Sequence, residues 1–353
     1  MKVAMLFDGV SALGPSADLL IIETVEAVEA SLEQLGHAIV RIPVNPDGRW
    51  IERVRRGKFD VAFNLCEGID GTAEYETPVI SVLELLAVPY TGASSLTTAL
   101  CLRKYIVNTL AERHGVPVPA WAVSKPGAPV PAVGFPAICK PAAEDASVGV
   151  EQRSVARSAR SLSGRLRDMH TLWDEVLVQR YVDGREINVG VLGDEVLPIA
   201  EIEFGTLPSG MWRIVSYNAK WSTGSEEDTG TKPRCPADLS PALAEEIRSI
   251  ALAAWRAVGG DGYGRVDLRI DEAGRPWLLE VNANPDIAPD AGLARMARVA
   301  GMDYTALVER MVELAMARRP MLQPDRWAET QRLSGVIPEG GARSGARVAV
   351  GDR

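Results

Sequence analysis
The 353-residue sequence predicts an α/β unit followed by α+β units, and three observations carry that expectation. Strand-like and helix-like runs alternate over the first hundred residues. A proline-rich break spans Val116 to Pro136. Short β-rich runs then crowd together from Phe135 onward. In the first stretch Val3 to Phe7 reads as a strand, followed by the loop residues Asp8, Gly9, Gly14 and Pro15. Ser16 can cap a helix over about Ala17 to Leu35, with Gly36 suited to its C-terminal end. Ala38 to Val44 and Asp60 to Leu65 read as further strands, and about Pro46 to Arg56 and Pro78 to Leu86 as helices. Alternation at this spacing indicates βαβ units and a parallel sheet, whose ligands sit beyond the carboxyl ends of the strands. Those ends carry Asp8-Gly9 and Asn64-Leu65-Cys66-Glu67-Gly68.

A helix is expected over about Thr97 to His114. After the break, strands are expected over Phe135 to Lys140, Val148 to Arg153, Val176 to Val182, Glu186 to Leu192 and Val196 to Phe204, with one helix over about Ala156 to Met169. Gly193-Asp194 is a hairpin signal. The last unit opens near Met211 with a strand to Trp221 and a loop rich in Gly, Ser, Thr and acids over Ser222 to Pro233. Ser240-Pro241 starts a long helix to about Val258. Strands Gly264 to Ile270 and Trp277 to Asn282 follow, then helices over about Pro289 to Ala300 and Tyr304 to Ala317. The units are thus 1–100, 101–210 and 211–319, with a polar, glycine-rich and mobile tail expected over 320–353.

Hydrophobic residues make up 46% and charged residues 24% of the chain, the usual balance of a soluble globular protein. A formal net charge of -9 argues against a sequence-independent grip on nucleic acid. Cys66, Cys101, Cys139 and Cys235 form no CxxC pair, and His37, His114 and His170 show no metal-binding spacing. Buried reduced thiols are expected. The N-terminal apolar run ends at Asp8, short of a signal peptide, and no stretch approaches a membrane span. A cytoplasmic location without a membrane partner follows as the expectation.

Chemistry concentrates in three places. A four-residue turn, Glu272 to Arg275, would set Asp267 opposite Glu280, with Asn282 on the same face as Glu280. These oxygens suit Mg2+, although a solvated hairpin with scattered acids explains the residues alone equally well. Lys140 ends an apolar run and precedes a small-residue loop through Ser147 and Gly149, which could wrap phosphate oxygens or be an ordinary turn. Gln179-Arg180-Tyr181-Val182 leads through a kink to Glu186, an arrangement suited to an adenine edge and a ribose, or to a plain hairpin edge.

The order of these segments resembles the ATP-grasp superfamily. Pro89-Tyr90-Thr91-Gly92, Leu83-Glu84-Leu85-Leu86, Gly264-Arg265-Val266-Asp267 and Leu278-Leu279-Glu280-Val281-Asn282-Ala283-Asn284-Pro285 are similar to D-alanine–D-alanine ligases. The resemblance covers about Met1 to Ala317. It implies an ATP-grasp fold behind an N-terminal parallel-sheet unit. Activity would be ATP-dependent joining of a small carboxylate to a small amine through an acylphosphate. The cofactors implied are ATP and two Mg2+ ions, with Mn2+ as a substitute. Lys104 and Lys140 would contact ATP phosphates, and Ser147 and Gly149 would lie in the loop covering them. Gln179, Arg180, Tyr181 and Val182 would line the adenine site, and Glu186 would hold the ribose. Lys220 would reach the γ-phosphate, and Ser222 to Pro233 would form a lid. Asp267, Glu280 and Asn282 would hold the metal, and Arg265 would stabilise the acyl oxyanion. The family's habit of pairing through its first unit implies a homodimer.

The resemblance breaks at the substrate end. The family's first glycine-rich loop carries a glutamate that anchors an ammonium, and the loop from Asp8 to Ser16 has none. The usual His-Gly-x-x-G-E-D-G loop is replaced by Phe63-Asn64-Leu65-Cys66-Glu67-Gly68. Ala291 stands where the family's serine would bind the acceptor carboxylate, near Asp286 and Asp290. Glu67, Glu74, Glu76, Asp286 and Asp290 are therefore candidate amine binders, each also readable as a solvated acid. Amino-acid-like substrates other than two D-alanines are expected. The competing readings are a D-alanine–D-alanine ligase of cell-wall synthesis with a reorganised site, a ring-closing ligase, and an ATP-binding protein without turnover.

Overall fold
The computed structural model describes residues 1–9 and 15–318, so the tail expected over 320–353 lies outside the described residues. In the first unit β1 (Lys2–Asp8), α1 (Pro15–Gln34), β2 (Ala38–Val44), α2 (Arg49–Gly57), β3 (Val61–Asn64) and α3 (Glu76–Leu85) follow one another. The strands form a parallel sheet in the order β2–β1–β3. Val3, Ala4, Met5 and Leu6 are fully buried because helices cover both faces.

The helix expected over Thr97 to His114 is two helices, α4 (Ser95–Leu102) and α5 (Lys104–Arg113). Arg103 departs from helical geometry at ψ 87, and the Lys104 N–H donates to the Ala142 carbonyl across the cleft. The proline-rich segment holds a short strand, β4 (Trp121–Ser124), which pairs with a strand 50 to 60 residues on (Trp121 with Gln179).

The central sheet runs β4–β7–β5–β6, from β5 (Ala137–Pro141), β6 (Val155–Ala156), α6 (Ala159–Met169) and β7 (Val176–Arg180). The strand expected over Val148 to Arg153 is absent. Glu151 and Ser154 cap one another round a single helical turn, and only the two residues after it pair with β5.

β8 (Arg185–Leu192), β9 (Glu195–Val196) and β10 (Ala200–Glu203) follow. The single strand expected over Val196 to Phe204 is broken at Leu197-Pro198-Ile199, where proline has no N–H for a ladder. β8 and β10 hydrogen-bond into the C-terminal sheet rather than the central one, so the sheets part between Arg180 and Arg185.

The strand expected from Met211 to Trp221 is instead irregular chain ending in α7 (Tyr217–Trp221). The Ser216 hydroxyl accepts from Ala219 N–H, and the Tyr217 N–H is taken by Val150. α8 (Glu226–Thr229) and β11 (Lys232–Arg234) lie within or border the segment expected as a lid. α9 (Pro241–Ala257), β12 (Tyr263–Ile270), β13 (Pro276–Asn282), α10 (Gly292–Val299) and α11 (Tyr304–Ala317) complete the chain. The last sheet runs β11–β10–β8–β12–β13, with α9 packed on one face. α10 and α11 join it to the first unit through a shared core that includes Leu293, Met296 and Val308.

Candidate active site
β12 and β13 pair with Asp267 opposite Glu280 and Arg265 opposite Asn282, followed by a bulge after Asp267. Strand alternation therefore puts Arg265, Asp267 and Arg269 on one face of β12, and Glu280 and Asn282 on one face of β13. Asp267 is 4% exposed and fully engaged. Arg265 grips it bidentately at 2.8 Å, Asn282 Nδ2 donates to it at 2.9 Å, and Asn188 Nδ2 donates at 2.7 Å.

Lys140, at the end of β5 in the other sheet, faces Glu280 at 3.8 Å. Burial pushes the Lys140 ammonium down, and Glu280 counters it. Burial alone would raise the Glu280 carboxyl, but Lys140, Lys104, Lys220 and Arg265 outweigh it and hold the carboxyl near about 2. The two sheets thus face each other across a cleft in which Lys140 and Glu280 meet.

Lys104 begins α5 because the chain breaks at Arg103, and its ammonium reaches the loop after β5. It donates to the Glu144 carbonyl and pairs with Asp145 at 3.5 Å. That loop turns through Ala146 and Ser147 at positive φ, and its Ser147 hydroxyl donates to the Val215 carbonyl at 2.9 Å. Gly149 has φ +74, and a Cβ there would stand 2.8 Å from Pro141 and Trp173. Trp221 Nε1 donates to the Ala146 carbonyl, so α7 closes against the loop. Lys220 lies exposed on that helix, and its charge acts on Glu280, Glu186 and Glu67.

At the hinge between β7 and β8 the Arg180 and Tyr181 N–H groups are spent on Ala120 and Pro136, and Arg180 points to solvent. Gln179 is buried with its Nε2 unpartnered, and Val182 lies in neither strand. These two are the groups left to meet a base edge. Gly184 bends the hinge at φ +140, where a Cβ would stand 2.0 Å from the Ile270 carbonyl. Burial raises the Glu186 carboxyl, and Arg269 opposes that from 2.9 Å. Arg269 also donates to the Gly184 and Arg213 carbonyls and lies over the Tyr181 and Phe204 rings. The sequence reading missed Arg269 and Asn188. Alternation from Asp267 marks the first. The second stands opposite Asp267 in β8, two residues after Glu186.

Of the candidate amine binders, Glu67 feels the charge of Asp286 and Glu76 that of Glu67, and both feel Asp8, which the sequence reading set at a ligand-facing strand end, and Asp145, which it did not single out. Glu74 is drawn off to Arg103 at 3.3 Å, and Asp290 is exposed at the start of α10 with no interaction with the group. Glu67 is solvent-accessible yet walled in. Desolvation and the charges of Asp286, Asp8 and Asp145 push its carboxyl up to about 8, against Lys220. Burial lifts Asp8 to about 6 against hydrogen bonds from Glu67 and Gly68 N–H. Burial, with Asp145 and Glu67, drives Glu76 well above the carboxylate range.

Among the described residues no three His, Cys, Asp or Glu side chains cluster as a metal site. Asp267, Glu280 and Asn282 form a mixed donor set of two carboxylates and an amide. Asn282 spends its Nδ2 on Asp267, which leaves its Oδ1 as a hard donor. The set suits a divalent cation of the Mg2+ type.

The model of the D-ala D-ala ligase C-terminus family matches residues 114–313. The chain belongs to the D-alanine–D-alanine ligase family. A D-alanine–D-alanine ligase of Synechococcus sp. (strain JA-3-3Ab) is 32% identical over 305 residues, covering 84% of this chain and 88% of that protein. The protein y4sG of Sinorhizobium fredii, described only as uncharacterized, is 34% identical over 263 residues, covering 73% of this chain and 75% of its own. Two solved structures share the fold. The D-alanine–D-alanine ligase from Bacillus anthracis complexed with ATP has a TM-score of 0.73 at 23% identity, over 90% of this chain and 97% of that one. The VanG D-Ala:D-Ser ligase from Enterococcus faecalis has a TM-score of 0.69 at 19% identity, over 89% and 99%. As a member of this family the chain is an ATP-grasp ligase that forms carbon–nitrogen bonds, with ATP, a divalent metal and small-molecule substrates. No helix among the described residues is long and apolar enough to cross a membrane.

Proposed function
We propose that the enzyme energises a small carboxylate as an acylphosphate and joins it to an amine, on amino-acid-like substrates other than two D-alanines. Two divalent ions on Asp267, Glu280 and Asn282, and a homodimer formed through the first unit, belong to the same proposal. One observation carries the altered substrate. α10 opens at Ala291 with no side-chain cap, where the resemblance expects a hydroxyl for the acceptor carboxylate, and Asp286 and Asp290 precede it. An anion site without its hydroxyl, flanked by acids, disfavours a second carboxylate.

A carboxylate is a poor acyl donor because oxide must leave, and phosphorylation supplies a better leaving group. Bound divalent cations supply positive charge to the phosphoryl oxygens. Lys140 and Lys104 stand at the loop after β5, and Lys220 on α7, which closes against that loop, adds its charge. Gln179, Val182 and Glu186 position the nucleoside. Arg265, two residues from Asp267 on the same strand face, meets the charge that grows on the acyl oxygen.

Phosphate release from ATP and Mg2+ with a panel of acids and amines tests this reading. The best pair should exceed D-alanine alone by more than about tenfold, equivalent to about 1.4 kcal/mol of barrier. An equal or higher rate with D-alanine alone returns the enzyme to D-alanine–D-alanine ligation, the activity named for the Synechococcus relatives.

A further inference from the structure
Five carboxylates at the ends of β1, β3 and β13, at the start of α3 and in the loop after β5 lie within one another's electrostatic field. Glu67 stands within the field of Asp286, Asp8 and Asp145, and Glu76 within that of Asp145, Glu67 and Asp8. Lys104 pairs with Asp145. Among the described residues Asp8, Glu67, Glu76 and Asp286 make no ion pair.

The decisive group is Glu76. It is 6% exposed, and its Oε1 is buried with no hydrogen-bond partner. Oδ1 of Asp8 is buried and unpartnered as well. A buried acceptor without a donor costs free energy until a donor arrives. The position, beyond the carboxyl ends of a parallel sheet, is one where ligands bind.

The group has two poles. Glu76 forms a buried one. Glu67 and Asp286 form an accessible one nearer the chemistry, for Asp286 acts on Arg265 and Glu67 feels Lys220.

We propose that the amine substrate is a dication, with one ammonium seated on Glu76 and the second nitrogen, at Glu67 and Asp286, being the one that attacks. This rests on the ligase reading above and names its amine. The attacking nitrogen arrives as an ammonium and passes one proton to Glu67. Its lone pair forms the C–N bond to the acyl carbon. The bond from that carbon to the phosphate oxygen breaks, and phosphate leaves with the electron pair. A second proton leaves the nitrogen for the departing phosphate. In sum, carboxylate, ammonium and ATP give amide, ADP, phosphate and one proton. The distal ammonium keeps its protons throughout.

The test is calorimetric titration of the full-length protein with α,ω-diamines from diaminopropane to diaminohexane and with the monoamines from propylamine to hexylamine. The best diamine should bind at least about tenfold tighter than its monoamine, the scale of one added charge-assisted contact. Glu76→Gln and Glu67→Gln should each remove most of that preference. Should Glu76→Gln not fold, Asp286→Asn in the exposed loop takes its place with the same expectation. Equal binding of diamine and monoamine overturns the inference, as does a preference that survives these variants. ATP titrated separately keeps the two readings apart. ATP binding without diamine preference defeats the inference alone, and diamine preference without ATP binding defeats the ligase reading.

Discussion
Glu280 and Glu67 both feel the charge of Lys220, yet they shift in opposite directions. For both, burial is the largest influence and favours the protonated acid. Glu280 is surrounded by Lys140, Lys104, Lys220 and Arg265 and is held near about 2, whereas Glu67 has Asp286, Asp8 and Asp145 round it and rises to about 8. At the nucleotide end every buried charge has a counter-charge within the chain: Arg265 on Asp267 at 2.8 Å, Arg269 on Glu186 at 2.9 Å, Lys140 on Glu280 at 3.8 Å. A polyanion can enter such a site by sharing cations already present. Apart from Asp145, which pairs with Lys104, the acids round Glu67 make no ion pair among the described residues, and a ligand can bring the compensating charge. Charge balance within the chain is thus the feature that the proposed ATP and amine ends do not share.

The largest test of that division is Arg265→Met. If Arg265 acts on the acyl oxygen, single-turnover amide formation should fall about 10²–10³-fold, the usual cost of one oxyanion donor, while ADP formation, which precedes that step, falls less. The dissociation constant for ATP should change by less than about threefold, since Asp267 keeps its bonds from Asn188 and Asn282. A matching loss of ATP affinity would assign Arg265 to the nucleotide end as a simple counter-charge.

Next comes Arg269→Met, which strands Glu186 in a buried site. Breaking such a pair costs about 3 kcal/mol, visible as a lower urea midpoint. Adding Glu186→Gln should recover most of that stability while leaving ATP affinity weak, because the ribose acceptor is still gone. Recovery of both would show that Glu186 serves packing only.

The nucleotide end was legible because its residues are written into paired strands. The turn between β12 and β13 is short, so register follows from counting, and Asp267 meets Glu280 as the spacing predicts. Lys140, Gly149 and Glu186 sit at strand ends or loop turns, where residue type and position carry the chemistry. Arg269 was overlooked because a charged residue at every second strand position usually reads as a solvated face, and only the fold shows it enclosed by Tyr181, Phe204 and Glu186. The substrate end was only half visible. Glu67, Glu76 and Asp286 were candidates, but Glu74 and Asp290 stood equal with them. Asp8 and Asp145 joined them through contacts between distant segments that no local pattern encodes. Irregular segments misled for the same reason. α7 and the turn before β6 are held by Val150, Glu151 and Ser154, partners supplied by tertiary structure rather than by periodicity.

The smallest effect is one of pH, and it discriminates between the two ends. Glu67 ordinarily titrates near 4.5 and in the folded chain near about 8. Between those values the folded state keeps a proton that the unfolded state has released, so stability falls as pH rises through that window. Asp8, raised from 3.8 to about 6, adds a decline of the same sign at lower pH. Glu280, held near about 2, has the opposite sign and loses its contribution only as pH falls below its ordinary 4.5. Urea midpoints measured from about pH 5 to about pH 8 should therefore decline, and Glu67→Gln should flatten the curve. Solvent reaches Glu67 and screens it, which makes this the weakest of the three effects. A saturating diamine should flatten the wild-type curve as well, because an ammonium beside Glu67 and Asp286 favours their ionised forms. If Glu67→Gln flattens the curve and the diamine does not, the acids at this end repel one another without serving a cationic substrate.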